Sequence, residues 1–93
     1  MNCLKFIYST HAVKRMLEKD ISTVEIETTI RFGETIQDYF DDKPFPSKLI
    51  LKFVNERPIH IVVAQNIETQ ECIIITCYEP DILIWNDDFK TKK

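Results

Sequence analysis

The spacing of hydrophobic and polar positions changes several times along the chain, and each change marks an element. The opening CLKFIYS alternates apolar and polar residues and predicts a short strand. From Thr10 the apolar positions recur at helical spacing: Ala12, Val13, Met16 and Leu17 form one arc, and His11, Lys14, Arg15 and Glu18 form the opposite one. Ser9 or Thr10 supplies the N-cap. A second helix is signalled by its start. Ser22 and Glu25 make a capping box, Ile21 and Ile26 flank it as a hydrophobic staple, and Ile26 and Ile30 continue the stripe. Gly33 stands where a left-handed C-terminal cap belongs.

Beyond Gly33 the period shortens. ETIQDYF has strand character, and DDKPFPS is a turn whose two prolines cannot sit in a central strand. KLILKFV, PIHIVVAQ and ECIIITCYE then follow as three strands joined by the short polar connections NER and NIETQ, which predicts an antiparallel meander. Two helices between strands imply an α+β fold of two layers, with the helices on one sheet face. In the tail, DILIWNDDFKTKK, residues Ile82, Ile84, Trp85 and Phe89 are expected to fold back on the domain.

With 93 residues, one glycine and four prolines, the chain reads as a single domain over residues 1–93 without linkers or repeats. No apolar run approaches membrane-spanning length, and the first ten residues lack a signal-peptide pattern, so a cytoplasmic protein is expected. Cys72 and Cys77, five apart on a strand, point to opposite faces and lack metal-ligand spacing. Together with Cys3 they read as reduced cysteines, and neither metal nor cofactor is implied. The net charge of −3 argues against a protein that coats nucleic acid through its global field. Any phosphate contact must come from local groups such as Lys14, Arg15 and Lys19, or Lys90, Lys92 and Lys93.

Candidate chemistry depends on register. Ile59, Ile61 and Val63 share one face of their strand, as do Ile73, Ile75 and Cys77 of the next. If both sets face the helices, and even positions pair with even ones, the other face presents His60, Thr76 and Tyr78. A one-residue change of loop length would reverse this. Combined with His11 and Arg15, these residues suit metal-independent RNA cleavage. A neutral histidine takes the proton of the ribose 2′-hydroxyl, a second group protonates the leaving 5′-oxygen, and a guanidinium matches the phosphate. On this reading His11 is the base, Tyr78 or His60 the acid and Arg15 the phosphate clamp, with Lys14 and Thr76 contacting the substrate. Each residue also has an ordinary explanation: first-turn surface histidine, an Arg15–Glu18 pair, a half-buried strand histidine, favoured strand residues.

YSTHAVKRMLEKDIS, YFDDKPFPSKL, RPIHIVV and TCYEP followed by Trp85 together resemble the bacterial family called domain of unknown function 4258. The resemblance implies a RelE-like architecture, with two N-terminal helices on a curved antiparallel sheet, as in translation-blocking ribonuclease toxins. It further implies an RNA substrate (messenger, transfer or ribosome-associated) and a cognate antitoxin protein, often with a helix-turn-helix. The motif positions it marks are His11, Arg15, His60, Thr76 and Tyr78. The alternatives are a non-catalytic RelE-like module that binds a partner protein, and a small-ligand binder using the same cleft.

Overall fold

The computed structural model describes residues 1–93. The elements run β1 (Lys5–Tyr8), α1 (Thr10–Lys19), α2 (Thr23–Phe32), β2 (Glu34–Tyr39), β3 (Ser47–Val54), β4 (Arg57–Asn66) and β5 (Glu71–Tyr78). They build one five-stranded sheet of order β1-β5-β4-β3-β2 with two helices on one face, the α+β two-layer arrangement expected. Strands β2 to β5 form the antiparallel meander, whereas β1 joins β5 in parallel. The sheet is therefore mixed. Parallel pairing requires a crossover, and α1 and α2 carry the chain over the sheet from the β1 edge to the β2 edge.

Local chemistry explains the boundaries. Ser9 is the N-cap of α1, its hydroxyl accepting from the Ala12 N–H at 3.0 Å. Helix α1 ends at Asp20, which adopts the left-handed conformation (φ 53°) that a short polar side chain tolerates. Ser22 and Glu25 form the capping box of α2. Gly33 follows α2, but its φ of −78° is not left-handed, so the expected cap is corrected. Close approach requires the glycine instead: a Cβ there would lie 2.4 Å from the Thr29 carbonyl oxygen and 2.6 Å from Ile50 Cγ2. The two-residue β3–β4 turn has positive φ at both Asn55 and Glu56, the type I′ geometry that matches strand twist.

Between sheet and helices lies one core, containing Ala12, Ile21, Ile26, Ile30, Ile50, Ile59, Ile61, Val63, Cys72, Ile74 and Cys77. Of the apolar arc expected on α1, Ala12 is buried and Met16 packs against the core, while Val13 is exposed and Leu17 is 80% exposed. Helix α1 lies at the edge of the sheet beyond the short β1, so only a narrow strip of it meets strand residues. Arg57 secures its far end. The guanidinium donates to the Asp20 carbonyl at 2.8 Å and to that of Lys19, and pairs with Glu79 at 2.7 Å and Glu25 at 3.7 Å. A cation over the orphan carbonyls of a helix C-terminus is favourable both as hydrogen-bond donor and as counter-charge.

Two expectations change inside the sheet. The first concerns β5. His60 pairs with Tyr78, Ile61 with Cys77 and Val62 with Thr76, but Val63 then pairs with Ile74. Ile75 is the extra residue of a β-bulge, so Cys72 and Ile74 face the helices below it, and not Ile73 and Ile75. The second concerns the cysteines. Cys3 and Cys72 are joined by a disulfide, with Cα atoms 5.7 Å apart, and Cys77 alone is free and buried. Cys72 pairs with Cys3, 69 residues away, and not with Cys77 on its own strand. The parallel pairing of β1 beside β5, which sets Lys5 opposite Glu71, brings residue 3 to residue 72. Thiol titration of the purified protein in denaturant is expected to give one free thiol without reductant and three after reduction. Three before reduction would refute the bond.

Candidate functional site at the α1–β5 junction

The bulge decides what each sheet face presents. Above it, Cys77 points into the core, and Thr76 and Tyr78 point to the helix-free face. The bulge interrupts the ladder to β4, and on the other side of β5 Ser9, directly after β1, meets the backbone of the bulged segment. Its N–H donates to the Ile74 carbonyl at 3.1 Å, and its hydroxyl donates to the Ile75 carbonyl at 3.0 Å while accepting from Ala12. One serine thus fixes the start of α1 to the bulge. Two residues on, His11 reaches over the strand edge, its Nε2 3.0 Å from Thr76 Oγ1.

Tyr78 stands two residues beyond Thr76 on the same face, roughly 7 Å along the strand. Directly opposite is His60, whose Nδ1 lies 3.2 Å from the Tyr78 hydroxyl and whose Nε2 lies 2.8 Å from the Phe89 carbonyl oxygen. A carbonyl only accepts, so Nε2 carries the proton, Nδ1 is the acceptor, and the Tyr78 hydroxyl donates to it. Trp85 packs edge-on at 4.6 Å between ring centroids, Tyr78 at 5.2 Å, and Phe89 meets Phe53 at 5.9 Å. His60 is 0% exposed. Burial pulls its pKa below the ordinary histidine value, with the Phe89 carbonyl opposing, and burial pushes the Tyr78 hydroxyl up, reinforced by Tyr39.

The sequence-derived candidates therefore fall into connected but unequal places. His11 and Lys14 are exposed, and Arg15 is partly exposed on the next turn, its guanidinium 3.5 Å from Glu18. Arg15 also acts on the buried Cys77 thiol, which burial pushes up and the guanidinium pulls down. His11 and Thr76 touch, Tyr78 and His60 touch, and spacing along β5 joins the pairs. His60 differs from its expected setting. The even-to-even register that puts it with Tyr78 is present, but the face is not open there, because Trp85 and Phe89 fold over it. Ile82 and Ile84, expected to fold back with them, are exposed. The groups that sequence reasoning missed are Ser9 as the bulge partner, Phe89 as a carbonyl acceptor, and Tyr39 on the same face as Tyr78.

The family model described as domain of unknown function (DUF4258) matches residues 8–79. The chain belongs to this family. No curated protein and no solved structure gives a match. The likeness drawn from HAVKRM, HIVV and TCYEP thus holds for the family, and the DUF4258 span contains Ser9, His11, Arg15, His60, the bulge, Thr76 and Tyr78. Trp85 and Phe89, which bury His60, lie beyond it. No group of three or more His, Cys, Asp or Glu side chains is arranged to hold a metal, and no helix is long and apolar enough to cross a membrane.

Ser9→Ala removes both the cap and the bulge partner, and is expected to cost about 1–2 kcal/mol. Denaturant midpoints measure the loss, and a shift of the His11 ring signals, with those of His60 unchanged, locates it. A variant as stable as the parent would show that the bulge does not rely on Ser9. A second expectation concerns pH. The folded pKa of His60 lies below its unfolded value near 6.5, so the unfolded chain binds more protons under that pH. The stability that His60 contributes is complete above about pH 6.5 and is lost as pH falls through the folded value. Melting temperatures measured from pH 8 downward should fall more steeply below about pH 6.5 for the parent than for His60→Gln. Equal slopes would place the ring's titration elsewhere.

Proposed function

We propose that this chain is a metal-independent endoribonuclease with a RelE-like, toxin-like role, blocking translation and held in check by a cognate antitoxin protein. The observation that carries the reading is the His11–Thr76 hydrogen bond. It draws an accessible imidazole, with Arg15 one turn away, onto the strand face where Tyr78 stands. His11 accepts the 2′-hydroxyl proton at Nε2, where the substrate replaces Thr76 as partner. The 2′-oxygen attacks phosphorus, the bond from phosphorus to the 5′-oxygen breaks, and a 2′,3′-cyclic phosphate and a 5′-hydroxyl result. Tyr78 supplies the proton of that 5′-hydroxyl, and the proton taken up by His11 is returned to Tyr78 through water, which restores both groups. Arg15, released from its weak exposed pair with Glu18, matches the phosphate charge, and Lys14 adds to it.

His60 takes a different role from the one its motif suggests. With both ring nitrogens engaged and no exposed surface, it cannot meet a leaving oxygen. It is a positioning residue that orients the Tyr78 hydroxyl. The same burial favours the second reading, a non-catalytic module of this fold that binds a partner protein through the α1–β5 face. A histidine locked between Trp85, Tyr78 and Phe89 is what a structural layer requires.

Expression without any accompanying partner separates the two. Induced parent protein is expected to arrest growth, and the pure protein to cleave RNA in excess chelator to 2′,3′-cyclic phosphate ends. His11→Ala should lose cleavage by about 10²–10⁴-fold, the typical contribution of a general base, with Arg15→Ala weakened and both still folded. Harmless parent protein and intact RNA would overturn the nuclease and leave the binding module.

A further inference from the structure

The helix-free face carries a concavity that the proposed chemistry does not use. It is a cleft of about 380 Å³ between the β2–β3 edge and the tail, within the size range of small-ligand sites. Trp85, 7% exposed, forms its floor, and Tyr39, with about a third of its surface open, stands at its side. Lys90 and Lys92 rise from the tail, and Gln37 from β2. Lys90 is held by Glu34 at 3.0 Å. Lys92 has no carboxylate partner and sits over the Trp85 ring, 5.5 Å from its centroid. Gln37 is exposed at the cleft, where its amide offers a donor and an acceptor.

We propose that this cleft binds one unpaired nucleotide of a single-stranded RNA, its base against Tyr39, its base edge on Gln37 and its phosphate at Lys92. Charge favours an anion here and at few other places. The chain as a whole is acidic, yet two lysines, Lys90 and Lys92, line the cleft, and Lys92 has no carboxylate partner there. An aromatic wall and an amide at the rim suit a splayed base, whose face and edge are both available, and do not suit a duplex, whose bases are stacked and paired. The cleft opens on the same sheet face as Thr76 and Tyr78, and Trp85, which lines it, packs on its other side against His60. A nucleotide seated there would hold a strand running toward the α1–β5 junction. The choice of RNA rests on the reading above; a ligand that joins an aromatic ring to a phosphate does not.

A short 2′-deoxy oligonucleotide, which lacks the attacking hydroxyl, reads binding apart from cleavage. Its affinity is followed by anisotropy of an attached dye and by the emission of Trp85, the only tryptophan. Saturable binding to the single strand and weaker binding to the duplex are expected. Tyr39→Ala should weaken binding by roughly 5–100-fold, and Tyr39→Phe should retain it, since a ring stacks without its hydroxyl. Lys92→Ala should reduce the slope of log affinity against log salt by about 0.7. Lys5→Ala, on the opposite edge strand, should change neither. Circular dichroism melts confirm that each variant is folded.

Absent binding, or binding indifferent to Tyr39 and Lys92, overturns the cleft as a nucleotide site. RNA cleavage that survives Tyr39→Ala and Lys92→Ala unchanged does the same while leaving the nuclease reading intact. Binding that depends on Tyr39 and Lys92 without any cleavage of the matching RNA supports the cleft and removes the nuclease.

Discussion

The junction between Ser9 and the β5 bulge is the constraint on which the geometry of this molecule turns. A bulge leaves backbone groups without ladder partners, and buried backbone groups require partners. Here the Ser9 hydroxyl takes the carbonyl of the bulged Ile75 while it also caps α1, and the Ser9 N–H extends the β1–β5 ladder to Ile74. The start of α1 is thereby tied to the strand position where side chains change face. If the bulge were removed, Ile73 and Ile75 would face the helices and the strand would run in uniform alternation. With it, Ile74 and Cys72 complete the core, and Thr76 and Tyr78 emerge on the free face beside His11.

That free face is only partly free. Trp85 and Phe89 bury His60 together with neighbours such as Leu49 and Leu51, so the sheet carries a thin second layer opposite its helices. The tail that forms this layer is short but well tied. Asp88 accepts from the backbone N–H groups of Lys90 and Thr91, which hold its carboxyl below the usual range, and Trp85 bridges to Lys92. The tail divides the face into the α1–β5 junction on one side and the Tyr39–Lys92 cleft on the other.

Charge is distributed to the same effect. Arg57 is committed to the end of α1 and to Glu25 and Glu79, and Lys48 to Asp38, so these cations are not available to a ligand. Lys14, on α1 beside His11, and Lys92, at the cleft, have no carboxylate partner, and Arg15 has only its exposed pair with Glu18. An acidic chain can in this way present local positive sites without a positive global field.

Much of this was determined by the sequence alone. The helix starts followed from Ser9 and from Ser22 with Glu25, because caps are local hydrogen bonds between residues three apart. The meander followed from alternation and short polar turns, and the family from motifs that survive any register. What the sequence could not determine were the non-local terms. CIIIT is apolar at successive positions, so its pattern cannot say which residues face the helices, and the bulge depends on the pairing with β4 and the contact with Ser9, the N-cap of α1. Gly33 read as a conformational need and was a steric one, set by the Thr29 carbonyl one turn back and by Ile50 and Leu51 across the layers. His60 read as a residue of an open face and was closed over by aromatics 25 and 29 positions away in the chain. Local hydrogen bonds and periodicity are written in neighbouring residues; face, burial and partner depend on where distant segments pack.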